Sequence, residues 1–404
     1  MNPRLTSAIP IAGRVARFSY AIRHVVDEAR KVEAAGRRVR YLNIGDPVAF
    51  GFHTPTHMIE AVERAMRDGH NGYEPSAGIL PAREAVAEEY SRRGQPMKPD
   101  RVFIAAGTSE GIELTLTALV DEGDEVLVPL PVYPLYTAVI SKLGAREKYY
   151  RTDSARGWLP DLDHLRSLIG PRTRVIVVND PNNPTGAVYP DTIRRELLEI
   201  ADRANCVLVA DEVYTDVAYD GPIAPVGSLD PDAPVISLSS LSKAYLAPGW
   251  RTGWIAVGGG DRLNDVAAAI NKLGEARLCS TGPMQHGLIA ALTGDRSHQQ
   301  TFRAALRERA NLTAERFNAM PGVSCVTPRA AFYAMPCVTL PPGKTDVDYV
   351  VGLLRATGVL CVYGSGFGLP PEAGGFRVVF LASPAELAEI YDSVAAFTHS
   401  FLHA

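Results

Sequence analysis

The 404-residue sequence lacks the features that mark several common classes of protein. Its five cysteines are far apart and form no C-x-x-C pair, so we expect reduced thiols in a cytoplasmic protein and no zinc or disulfide framework. No stretch approaches the ~18 uncharged apolar residues of a membrane span, so we expect no membrane partner. The 41 basic residues against 45 acidic ones leave a formal charge of −4, which is not the broad basic footprint of a nucleic-acid binder.

Two further absences narrow the classes of enzyme. No G-x-G-x-x-G follows a predicted strand, and the glycine-rich run 364–368 has the wrong spacing for dinucleotide binding. We expect this run to be a flexible loop beside Arg377. The nine histidines show no H-E-x-x-H or other paired-ligand spacing, so no catalytic metal is expected.

From about residue 100 the sequence alternates between short apolar runs and segments with helical spacing. The runs are short, bounded by turn residues and apolar at successive positions, which predicts strands buried on both faces. Strands that alternate with helices indicate a mostly parallel sheet covered on both sides. The predicted strands are 102–105, 125–128, 175–178, 207–210 and 235–238, and the intervening helices include 110–119, 134–142 and 191–203.

The two ends of the chain follow a different pattern. Residues 22–35 have the spacing of one amphipathic helix, and a long helix is predicted around 303–318. The last hundred residues suggest strand pairs and two helices, which is typical of a smaller α+β domain completed by the N-terminal segment. We therefore expect residues 1–50 to form an arm and part of the small domain, residues 51–295 a large domain, and residues 296–404 the rest of the small domain.

Polar clusters follow four of the predicted strands. In open α/β sheets, ligands bind at the carboxyl ends of the strands, so these clusters are candidates for one site. The clusters are 107–110, 179–186, 211–214 and 239–243, and Arg251 follows shortly after the last.

These residue types together suit one kind of cofactor. Lys243 lies among small and apolar neighbours, where desolvation can make an amine a Schiff-base nucleophile. Thr108 and Ser109 at a helix start, with Arg251, can hold a phosphate on backbone N–H groups. A buried Asp211 can keep a pyridine nitrogen protonated. A lysine with an acidic partner for the ring nitrogen is the signature of a pyridoxal phosphate site.

The sequence resembles the fold-type-I, pyridoxal-phosphate-dependent aminotransferases of class I from about Tyr20 onwards. The resemblance implies an α/β fold, with a large domain built on a mostly parallel seven-stranded sheet and a smaller α+β domain. The motifs that carry it occur in the family's order and spacing: Asn183-Pro184-Thr185-Gly186, Asp211-Glu212-Val213-Tyr214, Ser240-Leu241-Ser242-Lys243 and Gly249-Trp250-Arg251.

The resemblance implies roles around the cofactor ring. Lys243 would bond the cofactor's aldehyde carbon and shuttle the proton of transamination, and Asp211 would pair with the pyridinium nitrogen. Asn183 and Tyr214 would donate hydrogen bonds to the ring's 3-oxygen, and Tyr133 would lie against the ring. The catalytic set predicted in this way is Lys243, Asp211 and Tyr214.

The resemblance also implies a phosphate site and a dimer. Thr108, Ser109, Ser240 and Arg251 would hold the phosphate. Tyr73 matches the tyrosine that reaches the partner subunit's phosphate, which implies a homodimer with shared active sites. Two positions depart from the family pattern. Glu110 is an acid near the phosphate and should point away from it, and the run from Ile79 to Arg83 leaves the start of its helix uncertain.

The substrate would be an amino acid and its 2-oxo acid partner. Arg377 matches the arginine that grips the α-carboxylate in a planar, bidentate clamp, and Gly45 and Asn183 lie near the same group. Within the family, the motifs around Tyr20 and Gly45 resemble the alanine aminotransferase branch, in which Tyr20 would restrict the side chain to a methyl group. Arg23 would then meet the distal carboxylate of glutamate.

Three alternatives stay open at this point. The first is transamination of another amino acid, such as aspartate, an aromatic or a branched-chain one, and the second is a β-lyase reaction, because this fold hosts other carbanion chemistry. A non-catalytic regulator that carries the same domain is disfavoured, because the stretch before Gly45 is too short for a winged helix and a linker.

Overall fold

The computed structural model describes residue 9, residues 11–16 and residues 21–403. The α-helices of the described residues range from one to about six turns. They are, in chain order, Gly13–Ala16 (α1), Ala21–Ala34 (α2), Thr56–Arg67 (α3), Leu80–Arg92 (α4), Thr108–Leu119 (α5), Pro134–Leu143 (α6), Leu162–Leu168 (α7), Asp191–Arg203 (α8), Asn264–Ala276 (α9), Gly282–Thr293 (α10), Ser297–Asn318 (α11), Asp346–Thr357 (α12) and Pro384–Leu402 (α13).

The strands of the described residues form one large sheet and three small ones. They are Arg40–Tyr41 (β1), Val102–Ala105 (β2), Glu125–Leu130 (β3), Arg146–Asp153 (β4), Leu159–Pro160 (β5), Thr173–Asn179 (β6), Val207–Asp211 (β7), Val235–Ser240 (β8), Gly253–Val257 (β9), Val323–Ser324 (β10), Tyr333–Ala334 (β11), Cys337–Val338 (β12), Val359–Leu360 (β13), Val362–Tyr363 (β14) and Phe376–Val379 (β15).

The large sheet has the order β2-β9-β8-β7-β6-β3-β4-β5. The inner pairs β8–β7, β7–β6, β6–β3 and β3–β4 are parallel, whereas β9 runs antiparallel to both of its neighbours. The predicted seven-stranded, mostly parallel sheet is thus confirmed with one correction. A two-residue strand, β5, pairs antiparallel with β4 and makes the sheet eight-stranded, and it was missed because so short a run carries no periodicity.

Alternate residues of the parallel strands face opposite sides of the sheet, as the pleat requires. Val175 and Val177 of β6 pack on one side in a cluster that includes Tyr136 of α6. Ile176 and Val178 pack on the other side in a cluster that includes Leu197 of α8. Because both faces are covered, the inner strands of the sheet are buried.

The N-terminal segment contacts the C-terminal part of the chain. Strand β1 pairs in parallel with β13, with Arg40 opposite Val359 and Tyr41 opposite Leu360. Strands β11, β15 and β14 form an antiparallel sheet that presents Arg377. Within the described residues, no helix is both long and apolar enough to span a membrane.

Two local expectations are revised by the structure. The run 364–368 is ordered as a 3-10 helix, Gly364–Phe367, and Phe367 is fully buried, so the expectation of a flexible loop was wrong. Helix α4 begins at Leu80 with Pro81 in its first turn, where a proline costs no hydrogen bond. The unusual run at this position is therefore an ordinary helix start.

Candidate active site

The register of the large sheet brings the predicted polar residues to one edge. Asn179 at the end of β6 lies opposite Asp211 at the end of β7, and Ser240 at the end of β8 lies opposite Gly253, the residue that also faces Ala105 of β2. A cavity of about 290 Å³ opens at this edge. Of the predicted site residues that the structure describes, all but Tyr73 line it, namely Gly45, Thr108, Ser109, Tyr133, Asn183, Asp211, Tyr214, Ser240, Lys243, Arg251 and Arg377.

Asp211 is a buried carboxyl group that has only uncharged hydrogen-bond donors. It is 3% exposed, and it accepts hydrogen bonds from the Val213 N–H at 3.4 Å and from the Tyr136 hydroxyl at 3.3 Å. Burial raises the pKa of Asp211 from 3.8 to about 7, against the opposing effect of these two donors. A carboxylate in this setting is stabilised by a cation placed in the cavity.

Lys243 projects into the same cavity from the turn after β8. Its Nζ donates a hydrogen bond to the Gly45 carbonyl at 2.8 Å and lies 5.5 Å from the centre of the Phe332 ring. Gly45 has no room for a side chain, since a Cβ would lie 2.7 Å from Phe332 Cε2 and 2.9 Å from Tyr333 Cζ. The amine and the backbone of the N-terminal segment therefore meet in the cavity.

The start of helix α5 and Arg251 form the cationic end of the cavity. Helix α5 has no side-chain cap at Gly107, so its first N–H groups and its dipole are open to an anion. The Thr108 hydroxyl is buried without a hydrogen-bond partner. Arg251 adopts a left-handed conformation (φ 50°), and its guanidinium donates to the Pro248 and Ala106 carbonyls.

Gly107 allows Arg251 to approach this end of the cavity. A Cβ at Gly107 would lie 2.9 Å from Arg251 Cζ, and its φ of 81° also disfavours any other residue. Glu110 turns away, as expected. Its carboxylate accepts from the Ala106 N–H at 2.6 Å and pairs with Arg277 at 3.0 Å, and it does not line the cavity.

Arg377 is held in the cavity lining by polar and aromatic contacts. It is 2% exposed, and it donates from Nη1 to Asn183 Oδ1 at 3.1 Å and from Nη2 to the Asn43 carbonyl at 2.7 Å. The guanidinium carbon lies 4.8 Å from the Tyr333 ring centre and 4.9 Å from that of Phe367. Its Nε is buried with no partner, which leaves a donor for an anionic ligand.

Tyrosine hydroxyls and an amide complete the lining of the cavity. The Tyr214 hydroxyl donates to the Tyr333 hydroxyl at 2.9 Å. The Asn183 backbone N–H donates to Asn179 Oδ1 at 2.7 Å, which fixes this loop against the end of β6. Tyr133 precedes helix α6 and also lines the cavity.

Three expectations lie outside the cavity or outside the described residues. Tyr73 is 84% exposed and does not line the cavity of its own chain. Tyr20 lies outside the residues that the structure describes, and Arg23 lies in α2 with its side chain outside the described part.

The sequence interpretation missed several residues of the lining. Asn179 directly follows the predicted strand 175–178 as the first residue of the polar run 179–186, so its position was a usable signal. Tyr333 and Asn43 carry no local signal, because they reach the cavity only through the packing of distant segments. The missed lining residues are Asn43, Ile44, Ile112, Asn179, Val213, Ser242, Pro248 and Tyr333.

The geometry combines an amine, a buried acid, an anion site and a carboxylate-sized guanidinium fork. An amine can bond a carbonyl carbon, and a buried acid can hold a heterocyclic nitrogen protonated. A helix N-terminus with an arginine suits a phosphate, and a planar guanidinium suits a carboxylate. The cavity therefore has separate places for a phosphorylated, nitrogen-containing ring and for a carboxylate substrate.

Comparisons with known proteins agree with this arrangement. Residues 38–394 match the model of the family "Aminotransferase class I and II". A glutamate-pyruvate aminotransferase of Haemophilus influenzae is 34% identical over 97% of this chain and 98% of its own. An alanine aminotransferase of Mycobacterium bovis is 37% identical over 95% of this chain and 91% of its own. The solved structure of an alanine aminotransferase from Pyrococcus furiosus superposes with a TM-score of 0.94 at 40% identity, over 97% of this chain and 100% of that one.

Proposed function

Because this chain belongs to the class I and II aminotransferases, with a fold-type-I architecture, we propose that it transfers the amino group of L-alanine to 2-oxoglutarate, giving pyruvate and L-glutamate. The observation that carries the proposal is that relatives 34–37% identical over nearly the whole chain are named glutamate-pyruvate aminotransferase and alanine aminotransferase. The cofactor is pyridoxal 5'-phosphate.

The residues present fit this cofactor. The Thr108 hydroxyl is buried without a partner beside an uncapped helix start, as a phosphate acceptor would require. Asp211 is buried without a cationic hydrogen-bond partner, as a protonated ring nitrogen would require. Thr108, Ser109, Ser240 and Arg251 hold the phosphate in this proposal. When bound, the cofactor supplies an electron sink for the charge that develops at the substrate α-carbon.

The other residues position and move protons around the ring. Asp211 keeps the ring nitrogen protonated, because separating that ion pair inside the protein is costly. Lys243 would hold the cofactor covalently, and its amine would move the proton at the substrate α-carbon. Asn183 and Tyr214 donate to the ring oxygen, and Tyr133 packs against the ring.

Arg377 binds the substrate α-carboxylate. Its guanidinium is fixed between two aromatic rings and by two carbonyl oxygens, while Nε remains available. A fork held in this way orients the α-carbon for proton abstraction, since a misplacement of about 1 Å can cost ~100-fold in rate. Gly45 contributes a backbone group and Asn183 an amide group near the same carboxylate. Tyr20 would limit the side-chain space to a methyl group.

The assembly is a cytoplasmic homodimer in this proposal. Ile59, Met66, Tyr73, Leu80 and Leu278 are large apolar residues with exposed side chains, which suit burial against a second copy. Tyr73 then reaches the phosphate of the partner subunit. All five cysteines lie among the described residues and none is in a disulfide, as a reducing compartment favours.

We propose the domain limits on the same basis. Residues 51–295 form the large domain, because the large sheet lies within them and the turn between α10 and α11 follows. Residues 296–404 form the small domain, and residues 1–50 contribute an arm and the strand β1 that pairs with β13.

A panel of half-reactions tests the substrate. The purified enzyme, loaded with cofactor, is mixed with single amino acids in the absence of any oxo acid, and the change in the cofactor's visible absorption is followed. Alanine and glutamate should react well ahead of aspartate, phenylalanine and leucine. A clear lead for aspartate or an aromatic amino acid would contradict alanine specificity. Release of pyruvate from cysteine-type substrates without consumption of an oxo acid would instead indicate a β-lyase.

A further inference from the structure

Tyr333 is a buried tyrosine to which the proposed function gives no role. It lies on β11, which pairs antiparallel with β15, the strand that carries Arg377. Its side chain is 3% exposed and lines the cavity between Tyr214 and Arg377. A single side chain thus contacts a group assigned to the cofactor and a group assigned to the substrate.

The hydroxyl of Tyr333 contacts the cofactor side of this pair. It is 2.9 Å from the Tyr214 hydroxyl, with the two rings nearly perpendicular at 89°. Tyrosine hydroxyls can rotate to donate or accept. When Tyr214 donates its proton to an anionic ring oxygen, Tyr333 can donate in turn to Tyr214, and such a chain strengthens the terminal hydrogen bond.

The ring of Tyr333 also contacts the substrate side. The Arg377 guanidinium lies 4.8 Å above its centre and 4.9 Å from the centre of Phe367, so that the cation is held between two aromatic faces. Aromatic faces attract a guanidinium and fix the plane in which it can bind a carboxylate.

We propose that Tyr333 is a positioning residue with two separable functions. Its hydroxyl supports the hydrogen bond that Tyr214 donates to the cofactor, and its ring orients Arg377 for the substrate carboxylate. This inference rests on the proposed function of the site.

Three variants separate the two functions. Tyr333→Phe removes the hydroxyl and keeps the ring, whereas Tyr333→Leu removes both. Phe367→Leu is the matched control, because it removes the other face of the Arg377 sandwich and leaves the Tyr214–Tyr333 hydrogen bond in place. Arg377, Asp211, Tyr133 and Lys243 also face the tyrosine pair or line the cavity beside it, and they stay unchanged in every variant.

Two readouts of the cofactor-loaded enzyme are measured without turnover. The first is the pH midpoint of the cofactor's visible-absorption change. A hydrogen bond donated to the ring oxygen stabilises the anionic form of that oxygen, so a nearby proton is lost at a lower pH. A weaker hydrogen bond therefore raises the pH midpoint. The second is the dissociation constant of propionate, which has alanine's carboxylate but no amino group, followed by the same absorption.

We expect Tyr333→Phe to raise the midpoint by about half a pH unit, less than Tyr214→Phe does, and to keep propionate affinity within about two-fold. We expect Phe367→Leu to weaken propionate by about five-fold with no shift in the midpoint. Tyr333→Leu should show both effects. A tyrosine with a purely structural role would lower thermal stability without moving the midpoint.

An unchanged midpoint in Tyr333→Phe, alongside a shifted one in Tyr214→Phe, would overturn the hydroxyl function. Equal losses of propionate affinity in Tyr333→Phe and Tyr333→Leu would overturn the ring function. Failure of the proposed function would show in the unmodified protein instead, either as no visible absorption to titrate or as a lead for an amino acid other than alanine in the half-reaction panel.

Discussion

Replacing Asp211 by asparagine tests the free-energy cost of burying the carboxylate that is proposed to pair with the cofactor's ring nitrogen. The change Asp211→Asn keeps the shape of the side chain and removes its negative charge. In the cofactor-free protein the carboxyl group is buried, and burial raises its pKa from 3.8 to about 7. We therefore expect the variant to be more stable than the original chain at neutral and alkaline pH in the absence of cofactor.

The size and the pH dependence of this effect follow from linkage. Below pH ~4 the carboxyl group is protonated in both the folded and the unfolded chain, so the charge makes no difference there. As the pH rises from about 4 to about 7, the unfolded chain loses the proton first, and the folded state of the original chain is progressively destabilised. Above pH ~7 the penalty is constant, at no more than about 4 kcal/mol for a shift of roughly three pKa units. Because an amide has its own desolvation cost, we expect a net gain of about 1–3 kcal/mol for the variant.

The measurement is urea unfolding of both proteins at several pH values, with and without cofactor. With cofactor bound, the order should reverse, since only the original chain can pair with a protonated ring nitrogen. A variant that is less stable than the original at pH 8 without cofactor would refute the reasoning. So would a stability difference that is the same at pH 4 and pH 8.

Other substitutions address the remaining parts of the site. Lys243→Ala should lose at least ~1,000-fold in transamination rate. The variant should still bind the cofactor, but without a covalent bond, so gel filtration under denaturing conditions should release all of the cofactor. Retention of more than a tenth of the activity would contradict the role of Lys243. Gly107→Ala should push the Arg251 guanidinium aside and weaken cofactor binding by about ten-fold, with little change in overall fold, in equilibrium dialysis; unchanged affinity would show that this close approach is unimportant. Arg377→Lys should raise the KM for alanine and lower kcat together, by about 100-fold in kcat/KM, because a single ammonium cannot replace the fork; a change confined to KM would mean that Arg377 binds without orienting.

The strand ends of the large sheet could be predicted from the sequence because two signals coincide there. The strands 102–105 and 207–210 are apolar at successive positions and stop at polar residues, and the structure has them as Val102–Ala105 and Val207–Asp211. Strand β9 lies between β2 and β8 and is antiparallel to both, so β2 and β7 run in the same direction and their carboxyl ends lie at a common edge. This is why most of the site could be named before the fold was known.

Other strands could not be predicted because their patterns differ. Strand Arg146–Asp153 is mostly polar and only half-buried, so it lacks the apolar run of its neighbours. Strand Gly253–Val257 is fully buried but follows the Arg251 turn without a helix, and it runs antiparallel. The rule that strands alternate with helices therefore missed it.

Contacts between distant segments set the limit of prediction for the site. Tyr333 meets Tyr214 across 119 positions of sequence, and Arg377 meets the Asn43 carbonyl across 334. Such pairs depend on how two sheets pack against each other, and the local spacing of residues in the sequence does not indicate that packing. Ala331, two positions before Tyr333, also has a left-handed backbone conformation (φ 59°), which alanine rarely adopts and which the sequence therefore does not predict.

The most direct test of the central claim is to find which side chain bonds the cofactor. The purified protein is incubated with pyridoxal phosphate, reduced with borohydride, digested and analysed by mass spectrometry. The label should be found on the peptide that contains Lys243, and Asp211→Ala should keep this label while losing transamination activity. Labelling of a different lysine, or no label in a folded protein, would contradict the account.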